Sequence, residues 1–406
     1  MARIPHIVII ADDLTGAADT GVAFAQAGRV VVIGMAAAGP CPECDVLVLT
    51  TESRDASREE AVARVREACR RSPTGESVWI YKKIDSTLRG HPAAELAAIM
   101  GVMKIERALV APAFPAQGRT TVGGRQRLDG VPVERTPSGA GVCSSDLIEV
   151  FRKGAGGREV RLLDVAAVRK DAAEALLGPG AGIVAADAET DGDLLALARA
   201  ALASGVRLFC GSAGLAHALA EVRPQMTTAP LPKPAPSPSG PVLVVAGSRH
   251  PKTARQVEFA ARQGAAVVRL SQAFLDGGDD ALARVSAEAA GHLRAGRDVI
   301  LTAAGTADCP LGGRAVAARL AQAAKRLVAV VGGLVLTGGD IAAAVCEALQ
   351  ASAIRLDGEV QPGMPLGLLV GGLGRGLRVV TKAGGFGGEG AITAAIRCLS
   401  ATRKVV

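Results

Sequence analysis

The sequence predicts an α/β protein of two domains with largely parallel sheets, and three observations support this prediction. Short apolar, β-branched segments alternate with Ala-rich segments of helical length along the whole chain, which is the pattern of packed helix and sheet layers. The chain has 406 residues, which is long for a single hydrophobic core. Residues 225–240 are rich in Pro and Ser, as in an extended, semi-rigid linker. We therefore predict domains at residues 1–224 and 241–406.

The first half alternates eight predicted strands with six predicted helices. The strands are apolar and β-branched, and we place them at residues 6–11, 29–34, 45–50, 77–83, 107–112, 159–164, 181–186 and 206–210. The helices between them are expected at residues 17–27, 57–71, 92–102, 166–176, 191–203 and 212–222. A new α/β series starts at Pro241, and it contains three strand–glycine turn–helix junctions, at 242–248, 334–340 and 378–388. This order favours parallel sheets.

Composition argues against several classes of protein. Hydrophobic residues make up 49% of the chain and charged residues 21%, which fits a folded domain rather than a disordered one. Aromatic residues are only 2%, so base stacking on nucleic acid is not expected. The net charge of +7 is compatible with a small acidic ligand. The N-terminus lacks a signal-peptide pattern and the longest apolar stretch is too short for a bilayer, so we expect a cytoplasmic protein without membrane contact.

One predicted strand ends at a group of charged and polar residues. Its apolar run stops at Lys82 and Lys83, and Asp85, Ser86 and Arg89 follow. Strand ends bind ligands in α/β proteins, and Lys and Arg there suit a carboxylate or phosphate. Because Lys82 and Lys83 alternate sides, we expect Lys83 to share a face with Asp85 and the other lysine to face solvent. The alternative is an ordinary ion pair at a solvated strand end.

A second strand, at residues 6–11, ends at two adjacent carboxylates. Asp12 and Asp13 precede an Ala-rich helix, so one could cap its free N–H groups while the other contacts substrate or metal. The alternative assigns both to capping and solvation. Three further polar residues near strands could line the same edge: Arg54, Gln117 and Arg119.

The glycine junctions of the second half predict an anion site. Glycine lets backbone N–H groups approach an anion, and a following helix N-terminus favours negative charge. Three junctions would form a polyphosphate cradle if their tips converge, although singly each glycine can be a simple turn. None has the Walker spacing, and residues 371–376 lack the dinucleotide spacing. The candidate residues are Ser248, His250, Gly338, Gly339, Asp340, Lys382, Gly384 and Gly385.

Two of these stretches resemble the four-carbon acid sugar kinase family: Ile-Ala-Asp-Asp-Leu-Thr-Gly-Ala-Ala-Asp at 10–19, and Lys-Lys-Ile-Asp-Ser-Thr-Leu-Arg-Gly at 82–90. Members phosphorylate sugar acids such as threonate, erythronate or 3-oxo-tetronate with ATP. The resemblance covers nearly the whole chain, with further motifs in order at 111–121, 129–133, 210–215, 245–248, 336–340, 358–363 and 381–387. The segment at 12–24 is more similar to the threonate branch than to the 3-oxo-tetronate branch.

The resemblance implies a sugar-acid-binding domain at 1–224 and a nucleotide-binding domain at 241–406, with ATP and Mg²⁺ as cofactors and the terminal 4-hydroxyl as acceptor. We expect catalytic roles for Asp13, Lys83, Asp85 and Arg89, and substrate contacts from Asp12, Lys82, Ser86, Arg54, Gln117 and Arg119. In this hypothesis Arg89 grips the substrate carboxylate, and Asp13 or Asp85 accepts the hydroxyl proton. The metal ligands stay unassigned.

Two other functions remain open on the sequence alone. Parallel sheets with glycine turns also serve nucleotide-dependent dehydrogenases, although the dinucleotide spacing and its acidic ribose partner are missing. A non-catalytic sensor would bind the sugar acid without turning over ATP. Small molecules are the expected partners in each case, and a homodimer is possible.

Overall fold

The computed structural model describes residues 5–35, 43–177, 182–223, 238–248, 250–270, 274, 278–303 and 313–401. The predicted linker at 225–240 lies outside the described residues, apart from 238–240. The chain divides into two compact units, the first formed by Met1–Val31 with Glu43–Ala229 and the second by Val32–Pro42 with Pro230–Val406.

Strands and helices alternate in both units. The strands are β1 Ile7–Ala11, β2 Val31–Gly34, β3 Val46–Thr50, β4 Trp79–Lys83, β5 Arg107–Ala111, β6 Arg119–Val122, β7 Arg125–Leu128, β8 Val131–Pro132, β9 Val160–Leu163, β10 Gly182–Ala186, β11 Leu208–Gly211, β12 Val242–Ala246, β13 Ala266–Arg269, β14 Val299–Thr302, β15 Gly333–Thr337, β16 Ala353–Glu359, β17 Pro365–Val370 and β18 Arg378–Lys382. The helices are α1 Leu14–Gln26, α2 Arg58–Arg70, α3 Pro92–Met103, α4 Leu147–Gly154, α5 Val165–Leu177, α6 Asp191–Ala203, α7 Ala213–Val222, α8 Pro251–Arg262, α9 Asp279–Arg294, α10 Gly313–Leu327, α11 Gly339–Ala348 and α12 Ala391–Ala401.

The first unit contains a parallel sheet in the order β3-β1-β4-β11-β5-β10-β9. Its central strands β1, β4 and β11 are buried, and they are apolar except for Lys82 and Lys83 at the end of β4, as expected for a sheet that is covered on both faces. Ala11 of β1 pairs with Thr50 of β3 and with Lys83 of β4. These three strands therefore end at the same level, and the polar residues that follow them are brought to one edge.

A small antiparallel sheet, β6-β7-β8, is also part of the first unit. The sequence did not predict these strands, because they are short, rich in Arg and Thr, and carry no apolar alternation. The sheet is fastened to the segment after β4 by Gln126, which is fully buried and donates from Nε2 to the carbonyl oxygen of Ser86 at 2.8 Å.

The second unit contains the parallel strands β13-β14-β12-β15-β18, followed by antiparallel β17 and β16, and β2 lies beside β16. Residues 32–34 of β2 thus contribute to this unit, whereas the sequence predicted that strand in the first domain. Ala246, Thr337 and Lys382 share one level of the sheet, so the ends of β12, β15 and β18 converge.

The predicted fold class, two α/β units with largely parallel sheets, is confirmed. Within the described residues, the structure offers no helix with the length and apolar character needed to cross a membrane.

Candidate active site

The guanidinium of Arg54 joins both carboxylates that follow β1. Its Nε and Nη2 atoms donate to Asp12 Oδ2 and Oδ1 at 2.9 and 2.8 Å, and its Nη1 and Nη2 atoms donate to Asp13 Oδ2 and Oδ1 at 2.7 and 2.8 Å. The Arg54 side chain is 15% exposed. These bidentate contacts fix the orientation of both carboxylate groups and place a positive charge beside them. The sequence placed Arg54 near this edge but gave no sign that it holds both aspartates.

The charges of this cluster shift one another's pKa values. Burial alone would raise the pKa of Asp12, but Arg54 and Lys82 hold it below its ordinary value. Burial alone would lower the pKa of Arg54, but the carboxylates of Asp12, Asp13 and Asp85 hold it well above its ordinary value. Asp12 and Arg54 are therefore both charged at neutral pH, and Arg54 is the counter-ion that the two aspartates share.

Asp13 has a second role at the start of α1. Its Oδ1 atom accepts the Gly16 N–H at 2.8 Å, so Asp13 is the predicted helix cap. A Cβ atom at Gly16 would lie only 2.6 Å from Asp13 Oδ1 and 2.7 Å from the Lys83 amine. Glycine is required there because these two charged groups approach the helix backbone.

Lys83 has a buried stem and an open amine. The residue is 5% exposed, and its amine makes no hydrogen bond or ion pair with any residue in the described parts of the chain. A positively charged donor beside a helix N-terminus favours an anion. Lys83 therefore meets the expectation of a lysine aimed into the edge.

The prediction that Lys82 faces solvent is wrong. The residue is 0% exposed, and its amine lies 2.8 Å from Glu95 Oε2 of α3, which is 1% exposed. This contact is an ion pair between two fully buried groups. The other oxygen of Glu95 accepts the Ser53 hydroxyl, whose Oγ lies 2.7 Å from Thr51 Oγ1. A parallel sheet is buried on both faces, so the opposite side of β4 is core and not water.

Asp85 is held by two donors. Thr87 Oγ1 and Arg89 Nε both donate to its Oδ2 atom, at 2.6 and 2.5 Å. Burial would raise the pKa of Asp85, but Arg54 and Arg89 keep it far below its usual range. Leu88 adopts a left-handed φ of 63°, which is unusual for a branched residue and turns the chain so that Arg89 reaches back to Asp85.

Arg89 keeps two nitrogens available. Only its Nε donates to a residue of the described chain, and its side chain is 46% exposed. Burial would lower the pKa of Arg89, and Asp85 raises it above the ordinary value. Two free terminal nitrogens on a fixed guanidinium can bind a carboxylate through both oxygens.

The other candidates of the first unit differ in placement. Arg119 is partly buried, and burial lowers its pKa below the ordinary value, although Asp129 and Asp85 act in the opposite direction. Arg119 therefore interacts electrostatically with Asp85. Its Nε atom has no acceptor in the described residues. Gln117 takes part through its backbone carbonyl, which accepts from Arg119 Nη1; no contact places its side chain at the edge. Ser86 contributes its carbonyl to the small sheet.

Glu95 is the residue that sequence reasoning missed. It follows the motif at residues 82–90 by five positions, within the otherwise apolar helix α3. The available signal was a lone carboxylate among Ala, Leu, Ile and Met. Such a residue is rarely buried without a cation.

In the second unit the three glycine junctions do meet. Ser248 lies between two of them: a Cβ at Gly384 would collide with Ser248 Oγ, and a Cβ at Gly338 would lie 3.8 Å from Ser248 Cβ. The Gly338 N–H donates to the carbonyl of Lys382 at 2.8 Å. A Cβ-free cradle at the end of parallel strands fits a phosphate group.

The remaining candidates of the second unit are fixed by local contacts. His250 caps α8 by accepting the Lys252 N–H at 3.1 Å, and a Cβ at Gly385 would lie 3.4 Å from its Nε2 atom. The cap of α11 is Gly338, so Asp340 does not cap that helix; it lies exposed in the first turn, after Gly339.

Lys382, one of the residues predicted for the anion site, lies inside the second unit. It is 0% exposed, so it is not solvated, and its amine donates to the carbonyls of Ala383, Gly384 and Phe386. Its amine is therefore occupied by the loop after β18 and is not presented to a phosphate.

Metal ligation is not defined by side chains alone. No group of three or more His, Cys, Asp or Glu residues that could hold a metal ion occurs in the described residues. Mg²⁺ in kinases is bound by one or two carboxylates together with substrate phosphates, which needs no such group.

Comparison with known proteins assigns the family. A model of a sugar-binding N-terminal domain matches residues 7–219, and a model of a nucleotide-binding C-terminal domain matches residues 243–392. A D-threonate kinase of Salmonella typhimurium is 36% identical over 426 residues, covering 96% of this chain and 97% of the relative. A D-threonate kinase of Cupriavidus necator is 38% identical over 417 residues, covering 98% of each.

Among solved structures, a Haemophilus influenzae protein superposes with a TM-score of 0.72 at 19% identity, covering 97% of this chain and 100% of that one. At this identity the likeness shows the fold alone. The match of both domain models and the full-length similarity to named kinases show more: this chain is a kinase and belongs to the four-carbon acid sugar kinase family.

Proposed function

We propose that this kinase phosphorylates D-threonate, with ATP as donor and the terminal 4-hydroxyl as acceptor. The observation that carries the proposal is the charged edge of the first unit, where Arg54 orders two carboxylates while Lys83 and Arg89 keep donors free. Such an edge suits a ligand with one carboxylate and several hydroxyls. The choice of D-threonate is supported by the names of the two relatives that were compared.

In this proposal the cations hold the acid and a carboxylate orients the acceptor hydroxyl. Arg89 grips the substrate carboxylate through its terminal nitrogens, and Lys83 donates to a neighbouring oxygen. Asp85 is favoured over Asp13 as the hydroxyl acceptor, because both oxygens of Asp13 already accept hydrogen bonds, whereas Oδ1 of Asp85 accepts none from the described residues. Phosphoryl transfer depends mainly on positioning and charge neutralisation, so a weakly basic carboxylate suffices.

The nucleotide would bind at the glycine cradle of the second unit. The convergence of Ser248, Gly338 and Gly384 supports this, and Asp340 in the first turn of α11 is the nearby carboxylate that would contact Mg²⁺ or the ribose. Mg²⁺ would neutralise the charge of the transferred phosphoryl group. The dehydrogenase and sensor alternatives are set aside because the chain is a kinase. Cytoplasmic location and a homodimer stay predictions.

A substrate panel tests the proposed reaction. We expect D-threonate with Mg-ATP to give ADP and a phosphorylated acid, at a higher kcat/KM than D-erythronate, L-threonate or 3-oxo-tetronate. Coupled ADP release measures turnover, and phosphorus–proton NMR coupling identifies the phosphorylated carbon. A higher kcat/KM for another acid would make that acid the assigned substrate in place of D-threonate. Absence of product from every acid would overturn the proposal.

Replacing Arg89 with alanine should damage acid recognition and spare nucleotide binding. Loss of a charged partner for a buried carboxylate costs about 2–5 kcal/mol; because Arg89 is 46% exposed, screening makes the lower end appropriate. We expect KM for the acid to rise by about tenfold or more, with ATP affinity unchanged in calorimetry. An equal loss of ATP affinity would place Arg89 at the nucleotide instead. Arg158→Ala is the matched control.

A further inference from the structure

The loop at residues 383–388, called the glycine loop here, has its carbonyl groups bound from inside the second unit. Lys382 Nζ donates to the carbonyl oxygens of Ala383, Gly384 and Phe386 at 2.8, 3.2 and 3.2 Å. The Lys382 side chain is completely buried. One ammonium therefore gathers three carbonyls of the segment that follows it.

Two side chains of α8 add to this arrangement. Gln256 Nε2 lies 3.0, 3.2 and 3.0 Å from the carbonyl oxygens of residues 386, 387 and 388, which share its two N–H groups, and Thr253 Oγ1 donates to that of Gly384 at 3.1 Å. Gln256 is 1% exposed and Thr253 is fully buried. Together with Lys382, these side chains bind every carbonyl of the glycine loop except that of Gly385.

The direction of the N–H groups follows from peptide geometry. In a trans peptide the N–H of one residue points opposite to the C=O of the residue before it. Because the carbonyls point inward, the following N–H groups point outward. Phe386 is turned back and donates to Ala383 at 3.1 Å. In the described parts of the chain, four N–H groups of the loop have no protein acceptor: those of Gly384, Gly385, Gly387 and Gly388.

We propose that these outward N–H groups bind a phosphate group of the nucleotide, and that Lys382 and Gln256 are positioning residues that never touch it. Successive backbone N–H groups form concave anion sites, and glycine allows close approach. The inference rests on the proposed function and deepens it, since it separates the atoms that bind phosphate from those that shape the loop.

The charge of Lys382 fits this role. Burial, with a smaller contribution from Lys252, lowers the pKa of Lys382 to about 8, so the amine is mostly protonated at neutral pH. A protonated amine has three N–H donors, which is one for each of the three carbonyl groups that it contacts. Turning Lys382 outward to a phosphate would break all three of these charge-assisted bonds and leave each carbonyl with only its neutral donor, from Phe386 N–H, Thr253 or Gln256, which is unfavourable.

The test compares a charged and an uncharged positioning residue. Lys382→Met and Gln256→Ala should each weaken Mg-ATP binding by about tenfold or more, a factor that corresponds to about 1.4 kcal/mol, with D-threonate affinity unchanged. Gln256 is neutral and buried, so its replacement removes contacts to the loop without removing a charge from the site. The double variant should lose less than the product of the single effects, because both act on one loop. Lys325→Met and Gln263→Ala, at exposed positions of α10 and at the end of α8, are matched controls.

Three results would overturn the inference. Weaker binding in Lys382→Met with unchanged binding in Gln256→Ala would make the lysine a direct phosphate ligand. Unchanged binding in both would remove the loop from the nucleotide site, and multiplicative effects in the double variant would mean independent roles. Lack of ATP binding by the unmodified enzyme would instead refute the proposed function.

Hydrogen exchange gives a readout that does not depend on variants that fold poorly. Peptides covering residues 383–390 are followed by mass spectrometry in the unmodified enzyme, with and without Mg-ATP. We expect slower exchange with the nucleotide, since a phosphate would accept bonds from these N–H groups. Unchanged exchange at saturating ATP would contradict the inference, and AMP, which lacks the outer phosphates, distinguishes which phosphate is bound.

Discussion

Replacing Arg54 with methionine is expected to lower kcat/KM for the sugar acid by about 10²–10⁴-fold. The side chain is the shared counter-ion of Asp12 and Asp13 and also lowers the pKa of Asp85. Removing one partner of a buried ion pair costs about 3–5 kcal/mol, and each 1.36 kcal/mol of lost transition-state stabilisation is about tenfold in rate. Steady-state kinetics with varied acid at saturating Mg-ATP measures the loss.

Two variants control this experiment. Arg54→Lys keeps the charge but cannot contact both carboxylates through two nitrogens each, so we expect it to recover only part of the activity. Arg58→Met, on the exposed surface of α2, should behave as the unmodified enzyme. Full activity in Arg54→Lys would mean that charge alone is needed, and near-normal activity in Arg54→Met would exclude the cluster from the reaction.

Stability against pH provides a second readout of the same variant. The folded-state pKa values of Asp12 and Asp85 are lowered, so their contribution to stability is present above the ordinary carboxyl range of about 4 and is lost as pH falls below it. Without Arg54 much of that contribution disappears at neutral pH. Urea unfolding should therefore show a large stability difference from the unmodified protein near neutral pH, which narrows as the solution is acidified.

The sequence predicted the charged edge because its residues directly follow apolar strands. Asp12, Asp13, Lys83 and Asp85 each come within a few positions of a strand end, and parallel strands of similar length end at one level. Local patterns were sufficient for that inference. They could not show that Arg54 holds both aspartates, since that contact depends on the path of the chain after β3.

Buried charges were the features that the sequence could not orient. Alternation along a strand says that Lys82 and Lys83 point opposite ways, but in a sheet covered on both faces neither direction means solvent. Lys82 therefore needed Glu95, which a distant helix supplies. The same limit applies to Lys382: a lysine beside glycines suggests a phosphate ligand, and the sequence could not show that its amine donates to the carbonyls of its own loop.

Changing Glu95 alone to leucine should destabilise the protein by about 3–5 kcal/mol, the cost of leaving a buried charge without its partner. Lys82 is 0% exposed and Glu95 is 1% exposed, so solvent cannot replace the lost carboxylate. The negative charges of Glu95 and Asp12 stabilise the protonated amine of Lys82. They keep its pKa above the ordinary value in spite of burial. Urea denaturation at neutral pH measures the loss, with Glu106→Leu, at an exposed position before β5, as the control.

Combining Glu95→Leu with Lys82→Met should restore most of that stability, because apolar pairs of similar volume often replace buried ion pairs at little cost. Activity should not return with it. Lys82 also lowers the pKa of Asp12, and Glu95 holds Ser53 next to Thr51, so the double variant keeps a packed core but loses the groups that fix the charged edge. Recovery of both stability and kcat/KM would mean that the pair serves packing alone. Recovery of stability alone would make Lys82 and Glu95 positioning residues of the kinase reaction.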